Sequence, residues 1–553
     1  AEGGSTQALG DNSHAEGANT VASALAAHAE GQGTTASGLR SHAEGFGTVA
    51  SGINSHAEGV GSVASGNVSH AEGAGSVANG TNSHAEGNGA QALGDNSHAE
   101  GFQTTAQGLN SHAEGNHSVA STNGHAEGNG TQALGNPSHA EGQNTIASGL
   151  ASHAQGITTV ASGFASHSEG AGTTASGSAS HAEGNGARAL GDNSHAEGFQ
   201  TTALGLNSHA EGNGTTASTN GHAEGNRTQA LGNPSHAEGQ NTIASGNCSH
   251  AEGINTIASG GNAHAEGADT VASGDESHAE GFHTTASGLH SHAEGANTQA
   301  LGNEAHAEGF QTTASGNQAH AEGLGNVAGF NGSHIMGRYG VATESYSWFI
   351  GNGTSTSDTG LGAKWLASTG NMYIDGPTYV AGGADYAEMF EVVEEPIDFG
   401  YFVTLEGERI RKATAQDTFI LGITSATPSV LGDSAEMSWQ NKYVVDKWGQ
   451  RQYEEVTIPA EKDVEGNVMI PKRVERQPKI NPQWDPSKTY QPRSNRPEWV
   501  AVGLLGKILI RDDGSCQVNG YCLPNDEGIA TASSKGYRVL KRTDDDQILI
   551  LFK

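Results

Sequence analysis

The chain has 553 residues, 60 acidic against 26 basic side chains, a net charge of −34 and only 5 % aromatic residues. So acidic a balance excludes a nucleic-acid-binding rod, because phosphate contacts need a basic face, and no run approaches the ~20 apolar residues of a membrane helix. The three cysteines, Cys248, Cys516 and Cys522, have no zinc-ligand spacing.

From the first residue to about position 340 the chain repeats a fourteen-residue unit, Ser-His-Ala-Glu-Gly-x-x-Thr-x-Ala-Ser-Gly-x-x. The histidines act as a ruler, running from His14 to His334 in steps of fourteen with two steps of thirteen, ending at His125 and His222. So short a period excludes helical-hairpin and leucine-rich repeats and fits one solenoid coil of two short strands and two tight turns. Side chains alternate along a strand, so Ser and Ala of Ser-His-Ala-Glu-Gly face one way and His and Glu the other. Thr and Ala of the second strand are expected inward, with Gly opening each turn. Coils stacked at about 4.8 Å would make a rod on the order of 110 Å long. Up to Gly340 the only basic residues are four arginines, so the acidity of the rod is Glu written into its repeat.

A roll filled by Ala, Ser and Thr buries little apolar area and is expected to need partner chains. These residues resemble the left-handed β-roll head of trimeric adhesins of the Yersinia type, whose unit is Ser-Val-Ala-Ile-Gly-x-x-Ser-x-Ala-x-Gly. The resemblance covers roughly Ala1 to Gly337 and implies a homotrimer in which the two larger residues of the first strand face the threefold axis. Here those are His and Glu, so His14, Glu16, His98, Glu100, His209 and Glu211 are axis candidates. Interchain His–Glu pairing is the leading reading of this ladder, with bound ions and a solvated face as alternatives. The regular recurrence argues against a metal site, and none is expected. If pairing gives His the proton, the rod should survive acidification toward pH 5. The chain opens on Ala1-Glu2-Gly3, the back half of a unit, which predicts a natural protein extending upstream, with its anchor there.

Beyond Leu324 the repeat decays, histidine stops after His334, and Tyr339, Tyr346, Trp348 and Phe349 appear. Ser347 to Gly383 alternates apolar and polar residues between Gly-rich turns, predicting short strands in a trimeric neck. The expected divisions are a rod over 1–337, a neck over 338–384 and a C-terminal domain over 385–553. Cys516 and Cys522 flank a predicted turn; a disulfide is an option there, with two thiols preferred.

Gly-Ala-Asp-Tyr-Ala-Glu at 383–388, followed by Phe390-Glu391, FVTLEGERI, RPEWVAVGLLGKILIRDDG and GYRVLKR, resembles the intramolecular-chaperone autocleavage domain of phage tail appendages and tailspikes. The resemblance implies a domain that guides trimer assembly and then cuts itself off. Carried over residue by residue, it puts the scissile bond at Ala384–Asp385, with Asp385 and Glu388 as the acidic pair and Glu388 as base. One carboxylate can activate water while the other, kept protonated, donates to the carbonyl or leaving nitrogen. Without the resemblance, the same two residues read as caps of a turn. No histidine is available for a Ser-His or Cys-His constellation there.

The fold class expected is all-β: a homotrimeric parallel β-roll, a β-rich neck and a mainly β chaperone domain. The function expected is a structural tail fibre of a phage or prophage, in the virion tail, with a host cell-surface polymer or receptor and other tail proteins as partners. No cofactor, external substrate, nucleic acid or membrane insertion is expected. A trimeric bacterial surface adhesin is the alternative, and an ice-binding solenoid a weaker third.

Overall fold

Alternation along the first strand fixes the coil. In the computed structural model, which describes residues 1–376, 380–435, 442–459, 461–462, 468–470, 472–489 and 491–553, the coil beginning at His42 has strands His42–Phe46 and Val49–Ala50. Ala43 and Ala50 point inward and are fully buried, as are Thr48 and, nearly so, Ser55. Successive coils stack as parallel strands in identical register, His70 opposite His84 and Ala71 opposite Ala85. The two thirteen-residue coils keep that register, with His112 opposite His125 and His209 opposite His222, so the deletion is absorbed in a turn.

The narrow interior has no room for larger side chains; its inward serines are served locally, whereas many inward threonine hydroxyls, such as those of Thr34 and Thr104, have no hydrogen-bond partner. Ser41 and Ser69 each donate a hydroxyl to the carbonyl three residues earlier, at 2.7 Å. The glycine closing each first strand is required twice over. Gly198 has φ +112, and a Cβ there would sit 2.1 Å from the carbonyl oxygen of Gly212 in the next coil. At the outer corner, left-handed Asn residues build side-chain ladders, Asn82 donating to Asn96, Asn96 to Asn110 and Asn110 to Asn123, each at 3.1 Å.

His and Glu leave the roll on the opposite face, as the alternation predicts. The imidazoles form one column, mostly stacked: the rings of His56 and His70 are 4.8 Å apart and 1° from parallel, whereas those of His181 and His195 meet at 61°. The expected His–Glu hydrogen bond is not made within one chain. His98 Nε2 lies 3.9 Å from Glu100 and His209 Nε2 3.5 Å from Glu211, beyond hydrogen-bonding distance. Burial and the neighbouring imidazoles hold His56, His84, His153 and His306 below the ordinary histidine value, outweighing the nearby carboxylates.

At the end of the ladder Trp348–Asn352 stacks in parallel on His334–Arg338, and Leu361–Leu366 and Asn371–Ile374 add antiparallel strands. Ile335 and Phe349 replace the inward alanines. Residues 377–379 of the predicted neck lie outside the described residues.

The chain divides into two compact units, Ala1–Asp375 and Gly376–Lys553. In the second, ten strands form one sheet: β1 (Asp385–Glu391), β2 (Phe402–Glu406), β3 (Arg409–Lys412), β4 (Gly422–Thr424), β5 (Val430–Gly432), β6 (Trp499–Arg511), β7 (Tyr521–Pro524), β8 (Ala530–Ser533), β9 (Tyr537–Asp544) and β10 (Gln547–Phe552). The main path runs β3-β2-β4-β6-β10-β9-β7-β8, with β1 pairing both β5 and β6. Ile508, Ile510, Val539, Ile548 and Ile550 centre its core, and the buried Cys516 and Cys522 are free thiols. Among the described residues no helix is long and apolar enough to cross a membrane.

Gly198→Ala is expected to lower the urea midpoint of the chain, with about 1–3 kcal/mol lost to backbone strain alone; an unchanged midpoint would refute the close-stacking account. The lowered histidines bind protons more readily unfolded than folded, so their contribution is present above the ordinary histidine value of 6.5 and is lost as pH falls below it. Urea midpoints at pH 7.5 and pH 5 should therefore differ, the acidic one being lower.

Candidate cleavage site

Strand β1 runs antiparallel to β6, with Asp385 opposite Gly506 and Tyr386 opposite Leu505, and one residue of β6 is bulged out before Ala387 meets Gly503. Bulges are common beside reactive centres, where they re-aim the chain. Here it coincides with two glycines that make room. A Cβ at Gly503 would stand 2.7 Å from the Asp385 carboxylate, and one at Gly506, where φ is +128, would stand 2.4 Å from the Ala384 carbonyl oxygen. The predicted scissile peptide can therefore lie against β6 only because both positions lack side chains.

The peptide is held on both sides. The Ala384 carbonyl accepts the Lys507 N–H at 3.3 Å, and the Asp385 carbonyl accepts both the backbone N–H and the hydroxyl of Ser429 at 2.8 Å. Asp385 is only 5 % exposed, and its Oδ2 has no hydrogen-bond partner. Burial raises the Asp385 carboxyl above the usual carboxylate value, partly offset by hydrogen bonds from Ser425 and from its own amide. A polar cavity of about 470 Å³ opens beside the bond, lined by Ala384, Asp385, Thr424, Ser425, Lys507 and Arg511 among others.

The sequence reading pairs Asp385 with Glu388, but within one chain the strand separates them. Asp385, Ala387 and Met389 alternate as the buried face of β1, while Tyr386 and Glu388 share the other. The Tyr386 hydroxyl donates to Glu388 Oε1 at 2.6 Å, and both lie beside Gly432 of β5. A separation of three residues puts side chains on opposite faces of a strand, so the two carboxylates do not meet within one chain. Ser425, Ser429 and Lys507 were missed from the sequence. They come from positions 40 to 122 residues further along the chain, and only the sheet brings them to the bond.

The six axis candidates, His14, Glu16, His98, Glu100, His209 and Glu211, all lie on the outward face of the first-strand ladder. The ladder aligns them in two rows, His over His and Glu over Glu, without joining them into a single site.

Residues 336–547 match the model of the Peptidase_G2, IMC autoproteolytic cleavage domain. Nine segments between residues 1 and 305 match the YadA head domain repeat. The chain is 35 % identical over 221 residues to a pre-neck appendage protein of Bacillus phage B103, covering 37 % of this chain and 24 % of that one. It is 36 % identical over 172 residues to the pre-neck appendage protein of Bacillus phage phi29, covering 30 % and 19 % respectively. The chain thus spans a quarter or less of the length of these curated relatives. A crystal structure of the phi29 gene product 12 C-terminal fragment aligns with 31 % of this chain and all of that one, at 32 % identity and a TM-score of 0.25.

Gly506→Ala is expected to slow formation of any fragment cut at this bond at least tenfold, because its Cβ would displace the Ala384 carbonyl. Circular dichroism should show the sheet retained, and fragment formation at the normal rate would count against the site.

Proposed function

We propose that this chain, which joins YadA head repeats to an autoproteolytic cleavage domain, is a structural appendage or tail fibre of a phage or prophage virion. The observation that carries the reading is the union on one chain of a repeat rod and a C-terminal unit similar to phage pre-neck appendage proteins. That union also favours an appendage over a bacterial surface adhesin. The rod is the part that contacts the host surface, a cell-surface polymer or receptor, and other tail proteins are its neighbours in the virion. The working divisions remain a rod over 1–337, a neck over 338–384 and a cleavage domain over 385–553.

In this proposal three copies align through the C-terminal unit before the rod winds, since long in-register ladders of near-identical coils are prone to slip. Cleavage then removes the guide. At Ala384–Asp385 a water oxygen attacks the Ala384 carbonyl carbon, and the oxygen that gains negative charge stays against the Lys507 N–H. The raised carboxyl of Asp385 suits it to hold a proton and deliver it to its own nitrogen, the leaving amine, as the C–N bond breaks. Glu388 takes the proton from water. Because its side chain leaves the far face of β1 in its own chain, it acts on the bond of a neighbouring copy. Cleavage is thereby tied to completed assembly.

Co-expression tests this arrangement. Asp385→Asn and Glu388→Gln should each abolish the cut alone on a denaturing gel. When the two variants are co-expressed with distinguishable tags, the Glu388→Gln chain should be cut and the Asp385→Asn chain should not. Failure of the mixture to cut the Glu388→Gln chain, although mixed oligomers form, would remove Glu388 of a second copy from the mechanism.

A further inference from the structure

The imidazole–carboxylate face of the rod has unmet bonding capacity that the cleavage chemistry does not use. Nearly every coil leaves a His Nε2 atom buried and without a hydrogen-bond partner, including those of His28, His42, His56, His70 and His84. Buried nitrogens of this kind ordinarily find a donor, an acceptor or an ion. The carboxylate two residues along the same strand stands close but not in contact, 3.6 Å away for His56 and Glu58 and 3.8 Å for His42 and Glu44.

That separation is too long for a charge-assisted hydrogen bond, about 2.7–2.9 Å. It is close to the edge of a coordination tetrahedron, since ligands about 2.0–2.2 Å from an ion stand roughly 3.3–3.6 Å apart. The next coil supplies a third ligand. The ligand atoms of His28, Glu30 and His42 lie within 4.8 Å of one another, as do those of His139, Glu141 and His153. The rings of His42 and His56 are stacked 4.7 Å apart and 1° from parallel, so an ion shared by two coils draws their Nε2 atoms together to within about 4.4 Å, twice the ligand distance. Imidazole with carboxylate selects a borderline transition ion over calcium or magnesium, which prefer oxygen alone.

We propose that this face is a linear array of sites for divalent transition ions such as Zn²⁺, each ion held by a His Nε2, the Glu of the same strand and the His Nε2 of the next coil. Water or a group from another copy completes the shell. The array cannot fill every coil, because successive groups share a histidine and ions one coil apart repel. Between His28 and His84 four overlapping groups therefore hold about two ions. Regular recurrence argues against one special metal site, but with this spacing it is the property of an array.

The test uses the full chain, refolded in the presence of ZnCl₂, dialysed exhaustively and assayed for bound zinc, with Co²⁺ substituted in parallel for its visible absorption. Several ions per chain are expected, with the absorption of tetrahedral cobalt. His42→Asn with His70→Asn breaks all four groups from His28 to His84 and should remove about two ions from the total. If that variant folds poorly, Glu→Gln at positions 30, 44, 58 and 72 leaves the ring stack intact and should weaken the same sites at least tenfold. Retention of no more than one ion per chain, or a content unchanged in both variants, would overturn the proposal.

Discussion

The close passage of one coil's backbone over the next governs this molecule. With glycine carbonyls of adjacent coils within 2.5 Å of where a Cβ would stand, the stack tolerates no side chain at that corner. The parallel ladder then runs from Glu2 to Asn352 without a change of register. Every other property of the rod follows from that register. It sets the alanine column inside, the asparagine ladders at the corner and the rows of identical side chains outside.

Identical rows have an electrostatic consequence. Like side chains stand a strand spacing apart over the whole length, so each imidazole is surrounded by imidazoles above and below and by carboxylates beside it. Desolvation and the like neighbours win over the carboxylates and hold His56, His153 and His306 below the ordinary histidine value. Neutral stacked imidazoles are compatible with close packing, whereas a fully protonated ladder would place positive charges at the same short spacing.

The C-terminal unit solves a different problem, that of bringing a peptide bond to polar groups distant in sequence. It does so with a long strand, β6, whose two glycines and bulge let β1 settle closely enough for the Ala384 carbonyl to meet a backbone donor. The same strand alternation that shapes the rod separates Asp385 from Glu388. Two carboxylates near in sequence thereby become groups with different surroundings, one buried and one bonded to a tyrosine hydroxyl.

The sequence by itself determined the period, the two-strand coil, the inward Ser, Ala and Thr, and the outward His and Glu, because a short repeat with period-two alternation admits few solutions. It also marked Ala384–Asp385 through local motif likeness. Only the tertiary structure decided that the histidines of one chain stack on one another, since that depends on the 4.8 Å spacing between coils. Likewise, the placement of Ser425, Ser429, Gly503, Gly506 and Lys507 about the bond depends on strand pairing across more than a hundred residues. Local pattern records which face a side chain takes; what it meets there is set by the chain that arrives from elsewhere.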